Sequence, residues 1–277
     1  MPDYTYPDVL IDTQWLADHL DDPNVRIVEL AMSPEVLKDN HIPGAVFWGI
    51  FSDLSWPDMS MKLEQNVIER ILSRSGITSK TTVVAYGSDI AVGGVVYWLL
   101  TMFGHQHVKV LNGGHQKWVA ESRPVTTEFA IVEPTHYQAA PLDSGSRVLQ
   151  AEVETSLKDS ACVLLDVRTA KEYCGEHFMV KPPEGNERAG HIPGAVHVEH
   201  TDAVNSDGTF KSFEDLKNLY SQQGITPDKE ILPYCAIGGR SAFVWFVLKC
   251  LLGYPNVRNY DGSWNEWSRL SHVPTEP

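Results

Sequence analysis

Of all the residues in this chain, Cys235 has the neighbours best suited to a nucleophile. It lies in the run Ile231-Leu232-Pro233-Tyr234-Cys235-Ala236-Ile237-Gly238-Gly239-Arg240-Ser241. The apolar start reads as a buried strand and the stretch after Ser241 as a helix. Gly238 and Gly239 let the backbone curl so that successive N–H groups converge on one point, an arrangement that binds anions. Arg240 and Ser241 open the helix, whose positive end attracts negative charge. A thiol at the centre of such a ring is expected to be held largely as thiolate, ready to attack an anionic substrate or to carry charge as an intermediate. The other cysteines invite plainer readings. Cys162 starts an apolar strand and Cys250 lies in an apolar helix, both as small hydrophobes. Cys174 sits in a polar stretch as a surface residue, a resolving thiol being the alternative. No CxxC pair or zinc-like spacing occurs, so neither a metal nor an organic cofactor is implied.

The elements that must position Cys235 occur twice. His41-Ile42-Pro43-Gly44-Ala45-Val46 returns as His191-Ile192-Pro193-Gly194-Ala195-Val196, and Gly76-Ile77-Thr78 as Gly224-Ile225-Thr226. Leu111 to Trp118 resembles Tyr260 to Trp267, again about 150 residues on. Ordered matches at one offset mean tandem domains. The expected division is residues 1–125, a linker at 126–146 rich in Pro, Thr, Ser and Gly, and residues 147–277. Each half reads as strand (Val25–Leu30; Cys162–Val167), the HIPGAV turn with a short strand, and an amphipathic helix closed by glycine (Leu63–Arg74; Ser212–Gln223). A strand (Thr81–Tyr86; Glu230–Tyr234), a glycine-bearing loop, an apolar helix (Val95–Phe103; Ala242–Leu252) and a last strand (Val108–Leu111; Val257–Tyr260) complete it. Alternating strands and helices predict an α/β fold with mostly parallel sheets flanked by helices on both faces. In the first half the matching loop, Tyr86-Gly87-Ser88-Asp89, has glycine at the cysteine's place, no arginine and an added acid. One domain is therefore expected to be active and the other retired.

The chain has 277 residues and a formal charge of −14. That charge argues against nucleic acid or an anionic membrane as partner. The acidic N-terminus is not a secretory signal as it stands, and no apolar run is long enough to span a bilayer, so a cytoplasmic protein is expected. A disulfide framework is not expected there.

The Cys235–Ser241 loop, preceded by Asp166-Val167-Arg168 and by Gly190-His191-Ile192-Pro193-Gly194-Ala195, resembles the rhodanese sulfurtransferases. The duplicated chain resembles in particular their tandem two-domain thiosulfate sulfurtransferases, with an inactive N-terminal and a catalytic C-terminal rhodanese-like domain. The resemblance implies ping-pong transfer. Cys235 would take the outer sulfur of thiosulfate as a persulfide, release sulfite, and pass the sulfur to cyanide or a thiol acceptor. It further implies that Arg168 and Arg188 bind the small anionic donor. Arg240 would stabilise the loop and its anion, and the Ala236–Arg240 backbone, with Ile237, Gly238, Gly239 and Ser241, would cradle the sulfur. Ala236 and Ile237 stand where thiosulfate-preferring members often carry basic residues, which leaves 3-mercaptopyruvate as alternative donor. A cysteine phosphatase is the first rival, but the tyrosine phosphatases have five residues between cysteine and arginine and here there are four. A non-catalytic binding module is the second, opposed by the retained Cys235 and Arg240.

For Arg168 the structural alternative is an ion pair, with Glu172 as the candidate partner. Asp166 is expected to cap a turn. His41 and His191, present in both halves, are expected to stabilise turns rather than act as bases. Trp98, Trp118, Trp245, Trp264 and Trp267 are expected in the core. The active half carries 13 extra residues between Asp166 and His191, a candidate flap over the pocket.

Overall fold

The computed structural model describes residues 3–33, 35, 40–128, 130–185 and 187–277. The first half builds a five-stranded parallel sheet from β1 (Leu10–Ile11), β2 (Val25–Ala31), β3 (Val46–Gly49), β4 (Thr82–Tyr86) and β5 (Val108–Leu111), in the order β1-β5-β4-β2-β3. The second half places β6 (Cys162–Asp166) between β7 (Val196–His197) and β8 (Glu230–Tyr234). Residues 257–260 then lie parallel to β8, and Arg147 lies parallel to Asn259. The second sheet thus repeats the order of the first, as duplication requires.

Expected and observed elements differ at two informative places. Residues 257–260 make isolated bridges to β8 instead of a full strand. The Pro233 carbonyl accepts from Tyr260 N on that side, but proline has no N–H to return, so the ladder is broken there. In the first half the apolar helix begins at Val92, not Val95, and takes Gly93 and Gly94 into its first turn. A Cβ on Gly94 would stand 2.6 Å from the Cα of Phe243. Gly94 serves the close crossing of helix Val92–Met102 over its counterpart Gly239–Phe246, which joins the two halves. Gly93 instead lets the helix close on its own sheet, where a Cβ would meet Val110 Cγ1 at 2.6 Å. That second helix continues as a π turn over Val247–Leu251.

Among the described residues the expected linker, 126–146, forms no α-helix or strand, only the 3-10 turn Ser144–Ser146, and it lies against the first half. Thr126 bridges His41, Thr135 N donates to Ser73 O, and Asp143 N to Met102 O. His41 and His191 do hold turns. His191 bridges Glu276 as His41 bridges Thr126, the same position one repeat later, and His191 stacks on Tyr173 at 3.8 Å. The five tryptophans are buried. Among the described residues no helix is long and apolar enough to cross a membrane.

Candidate functional site

Cys235 follows the last residue of β8 and is 1% exposed. Four features fix the loop around it. Gly238 takes φ +89°, and a Cβ there would meet Asp261 O at 2.6 Å, so only glycine fits. Gly238 N then donates to the Cys235 Sγ at 3.1 Å. Ser241 Oγ lies 3.6 Å from the sulfur and Ser263 Oγ 3.9 Å from it. Finally, helix Ser263–Trp267 takes the loop's carbonyls, with Trp264 N on Cys235 O and Asn265 N on Ala236 O. With these two carbonyls turned outward, the Gly238 N–H is the backbone donor on the sulfur. Ser263 also accepts from Cys235 N at 3.0 Å.

Arg240 stands in the first turn of helix Gly239–Phe246, but it is not a free cation. Its guanidinium makes two 2.7 Å bonds to Glu172, whose side chain is 1% exposed. Burial works against the Arg240 charge, yet Glu172's bonds and the neighbouring Cys235 outweigh it and hold the group above the ordinary arginine range. For Glu172 burial favours the neutral acid, and Arg240 reverses this, lowering its pKa. Glu172 is itself fixed by a reciprocal cap with Thr169 at the start of the short helix Ala170–Tyr173.

The two other arginines do not reach the pocket. Arg168 is fully buried and its partner is Asp166, not Glu172. Nη2 lies 2.6 Å from Asp166 Oδ2 and donates to Gly190 O, with the guanidinium 4.7 Å from the Trp264 ring. Asp166 also caps the turn by accepting from Arg168 N. Arg188 donates to the carbonyls of Leu270 and Val273 and to Thr275 Oγ1, tying down the last residues of the chain. Expected as donor-binding groups, both are engaged in holding the domain together, and neither lines the cavity described next. Cys162 and Cys250 follow their expected roles; burial pushes the first thiol up to about 11 and the second to about 12. Cys174 is exposed.

A cavity of about 300 Å³ opens over Cys235 between the halves. The second half supplies Cys235, Ala236, Ile237, Gly239, Arg240, Glu172, Thr169 and His200, with Met179 and Val180 from the extra segment. That segment therefore reaches the pocket mouth, apart from residue 186, which lies outside the described residues. The first half supplies an apolar wall, including Ile50, Leu54, Met61, Val95 and Leu99, together with Lys62 and Asp89. Lys62 Nζ donates to Ser52 O at 2.9 Å and lies over Trp56; no carboxylate pairs with it among the described residues. His200 donates from Nδ1 toward Val167 O at 3.3 Å, and burial, then Arg240, lower its pKa.

Sequence reasoning missed Glu172's true partner, Ser263, Lys62 and His200. Ser263 had a local signal, since it follows Gly262 in the repeated turn, but its left-handed φ of +54° is visible only in the fold.

A buried thiol in a ring of donors, facing a cavity completed by a duplicated half that lacks the thiol, defines a tandem-domain protein built for thiol group transfer. The comparisons make the family definite. The Rhodanese-like domain matches residues 12–121 and again 149–270, and the chain belongs to the rhodanese-like sulfurtransferase family. It is 43% identical to the "Sulfur carrier protein TtuD" of Thermus thermophilus, over 98% of this chain and 97% of that one. It is 38% identical to a Haloferax volcanii protein named "Putative thiosulfate sulfurtransferase", over 97% and 96%. Among solved structures it resembles the anaerobic ergothioneine biosynthesis enzyme of Chlorobium limicola in complex with trimethyl histidine. That match has a TM-score of 0.85 and 25% identity, covering all of this chain and 72% of the other.

Proposed function

We propose that this chain moves a sulfane sulfur from thiosulfate to a thiol or cyanide acceptor through a persulfide on Cys235. The observation that carries the reading is the Cys235 environment. Gly238 N and two hydroxyls converge on the sulfur in the lining of a cavity, in the one half that keeps both cysteine and arginine. The thiolate attacks the outer sulfur of thiosulfate, the S–S bond breaks, and sulfite leaves with its electron pair. The loop N–H groups from Ala236 to Arg240 then hold the charged outer sulfur. The reading makes residues 147–277 the catalytic domain, residues 1–125 the wall of its pocket, and residues 126–146 the linker. Lys62 is the cation available to the donor's sulfonate, because Glu172 occupies Arg240. Four free cysteines suit the reducing cytoplasm expected from the sequence.

A second donor, 3-mercaptopyruvate, is favoured by the apolar wall, which an organic anion can use and thiosulfate cannot. A trimethylammonium substrate like that of the Chlorobium enzyme is disfavoured. The described cavity lining holds no Trp, Tyr or Phe to form an aromatic cage. Steady-state thiocyanate formation from each donor with cyanide tests the reading. A larger kcat/KM for thiosulfate, abolished in Cys235→Ser, is expected. A larger value for 3-mercaptopyruvate reverses the donor, and no thiocyanate from either removes the catalytic reading.

A further inference from the structure

The second half of the reaction has a requirement that the first does not. Thiosulfate arrives as an anion, but a thiol acceptor with a pKa near 8.5 is only about 3% thiolate at pH 7. Its proton must go somewhere before its sulfur can attack. Of the titratable side chains lining the cavity (Lys62, Asp89, Glu172, His200, Cys235 and Arg240), histidine is the type that exchanges a proton near neutrality.

The geometry of His200 suits that task. Nδ1 lies 3.3 Å from the Val167 carbonyl, which can only accept, so Nδ1 carries the proton in the neutral ring and Nε2 is left as the basic nitrogen. Nε2 makes no hydrogen bond among the described residues, nor is it one of the unpartnered atoms sealed from solvent. It is therefore not sealed from solvent, and His200 is one of the residues that line the cavity. Burial, and after it Arg240 on the neighbouring helix, favour the neutral ring. Asp89, from the first half's loop, and Glu199, next in sequence, favour the imidazolium, so a proton taken up has carboxylates to face.

The duplication supplies an independent observation. His200 stands four positions after the HIPGAV turn, and the equivalent position in the first half is Ile50. The retired half thus lacks the cysteine, the arginine and this histidine together, while both halves keep His41 and His191, which hold turns. A histidine needed only for folding has no reason to follow the cysteine.

We propose that His200 is the general base of the acceptor step and that the acceptor it serves is a protonated thiol; this deepens the sulfurtransferase reading and rests on it. The acceptor R–SH gives its proton to His200 Nε2 as its sulfur attacks the outer sulfur of the Cys235 persulfide. The S–S bond breaks and its electron pair leaves on Cys235 as thiolate. The imidazolium returns the proton to the product, R–S–SH. Nothing is oxidised or reduced overall, and no co-reactant is needed.

The test isolates discharge from loading. Wild type and His200→Asn are loaded with thiosulfate and checked by intact mass, then freed of donor and mixed with a small thiol of pKa near 8.5. Without a base only thiolate reacts, so the variant should discharge up to about 30-fold more slowly than wild type at pH 7 and nearly equally at pH 9.5, where the thiol is ionised. Discharge at pH 7 within twofold of wild type would overturn the proposal. If the variant folds too poorly to load, wild type alone decides. A discharge rate nearly flat between pH 7 and 8.5 supports the base, and one that rises tenfold per pH unit refutes it. Failure of wild type to load at all would instead refute the sulfurtransferase reading beneath it.

Discussion

Replacing Glu172 with glutamine should make the protein less stable and its donor capture faster. Glu172 is buried, fully engaged by Arg240 and capped by Thr169. Removing one partner of a buried ion pair costs about 3–5 kcal/mol. Arg240 retains some access to the cavity's solvent, its side chain being 22% exposed, and glutamine keeps one acceptor oxygen. The loss should therefore be nearer 2 kcal/mol, on the order of 4–8 °C in Tm for a chain of this size. The electrostatic effect runs the other way. Glu172 is one of two carboxylates on the cavity wall, with Asp89, and the substitution removes its negative charge. A unit charge ~8 Å away in an effective dielectric of ~20 contributes about 2 kcal/mol. Solvent at the open mouth would roughly halve this, leaving about 1 kcal/mol, or about fivefold in second-order loading by thiosulfate. Stopped-flow loading at low and high salt, beside thermal melts, provides the assay. Loading that is slower at low salt, in protein shown to be folded, would refute the view that Glu172 neutralises Arg240 toward the donor. The pH dependence carries a sign as well. Because the folded-state pKa of Glu172 is lowered, its contribution is present above the ordinary carboxyl range and lost as pH falls below it. The Tm gap between wild type and Glu172→Gln should accordingly narrow below about pH 4.

Arg168→Met should lower stability by about 3–5 kcal/mol, because it leaves Asp166 buried and uncompensated, while KM for thiosulfate in the folded protein stays within about twofold; a tenfold rise in KM would restore Arg168 to the donor site. Gly238→Ala should lose about 1–3 kcal/mol and most of its sulfur loading, since φ +89° and Asp261 O exclude a Cβ; melts and intact mass read both. Gly87→Cys combined with Cys235→Ser should gain no sulfur and melt lower than the single variant. A Cβ at Gly87 collides with Val92 and comes within 2.5 Å of Leu30 O, so sulfur carried on the introduced thiol would contradict the account.

Much of the fold was legible because its signals are local and repeated. Strand runs, the HIPGAV turns and the glycines after both amphipathic helices lie close in sequence, and the second copy confirmed the first. Cys235, Gly238 and Arg240 were legible for the same reason, being one loop. Features that depend on distant segments were not. Gly93 and Gly94 look like loop residues until Val110 is seen packed against the first and Phe243 crossing the second. Glu172 and Arg168 were paired by proximity in sequence, but the strand end points Arg168 back at Asp166 and away from the cavity. The apolar wall comes from the first half, more than a hundred residues from the cysteine, and no spacing within the loop announces it. His200 is the intermediate case, since comparing it with Ile50 needs only the sequence, but its meaning needs the cavity.

The central claim is that Cys235 carries sulfur. Intact mass of the protein after incubation with thiosulfate, followed by peptide mapping under non-reducing conditions, tests it directly. A gain of roughly 32 Da, one sulfur as a persulfide, located on Cys235, absent from Cys235→Ser and removed by cyanide, is the predicted result. No gain with either thiosulfate or 3-mercaptopyruvate, or a gain that maps to the exposed Cys174 and persists in Cys235→Ser, would contradict it.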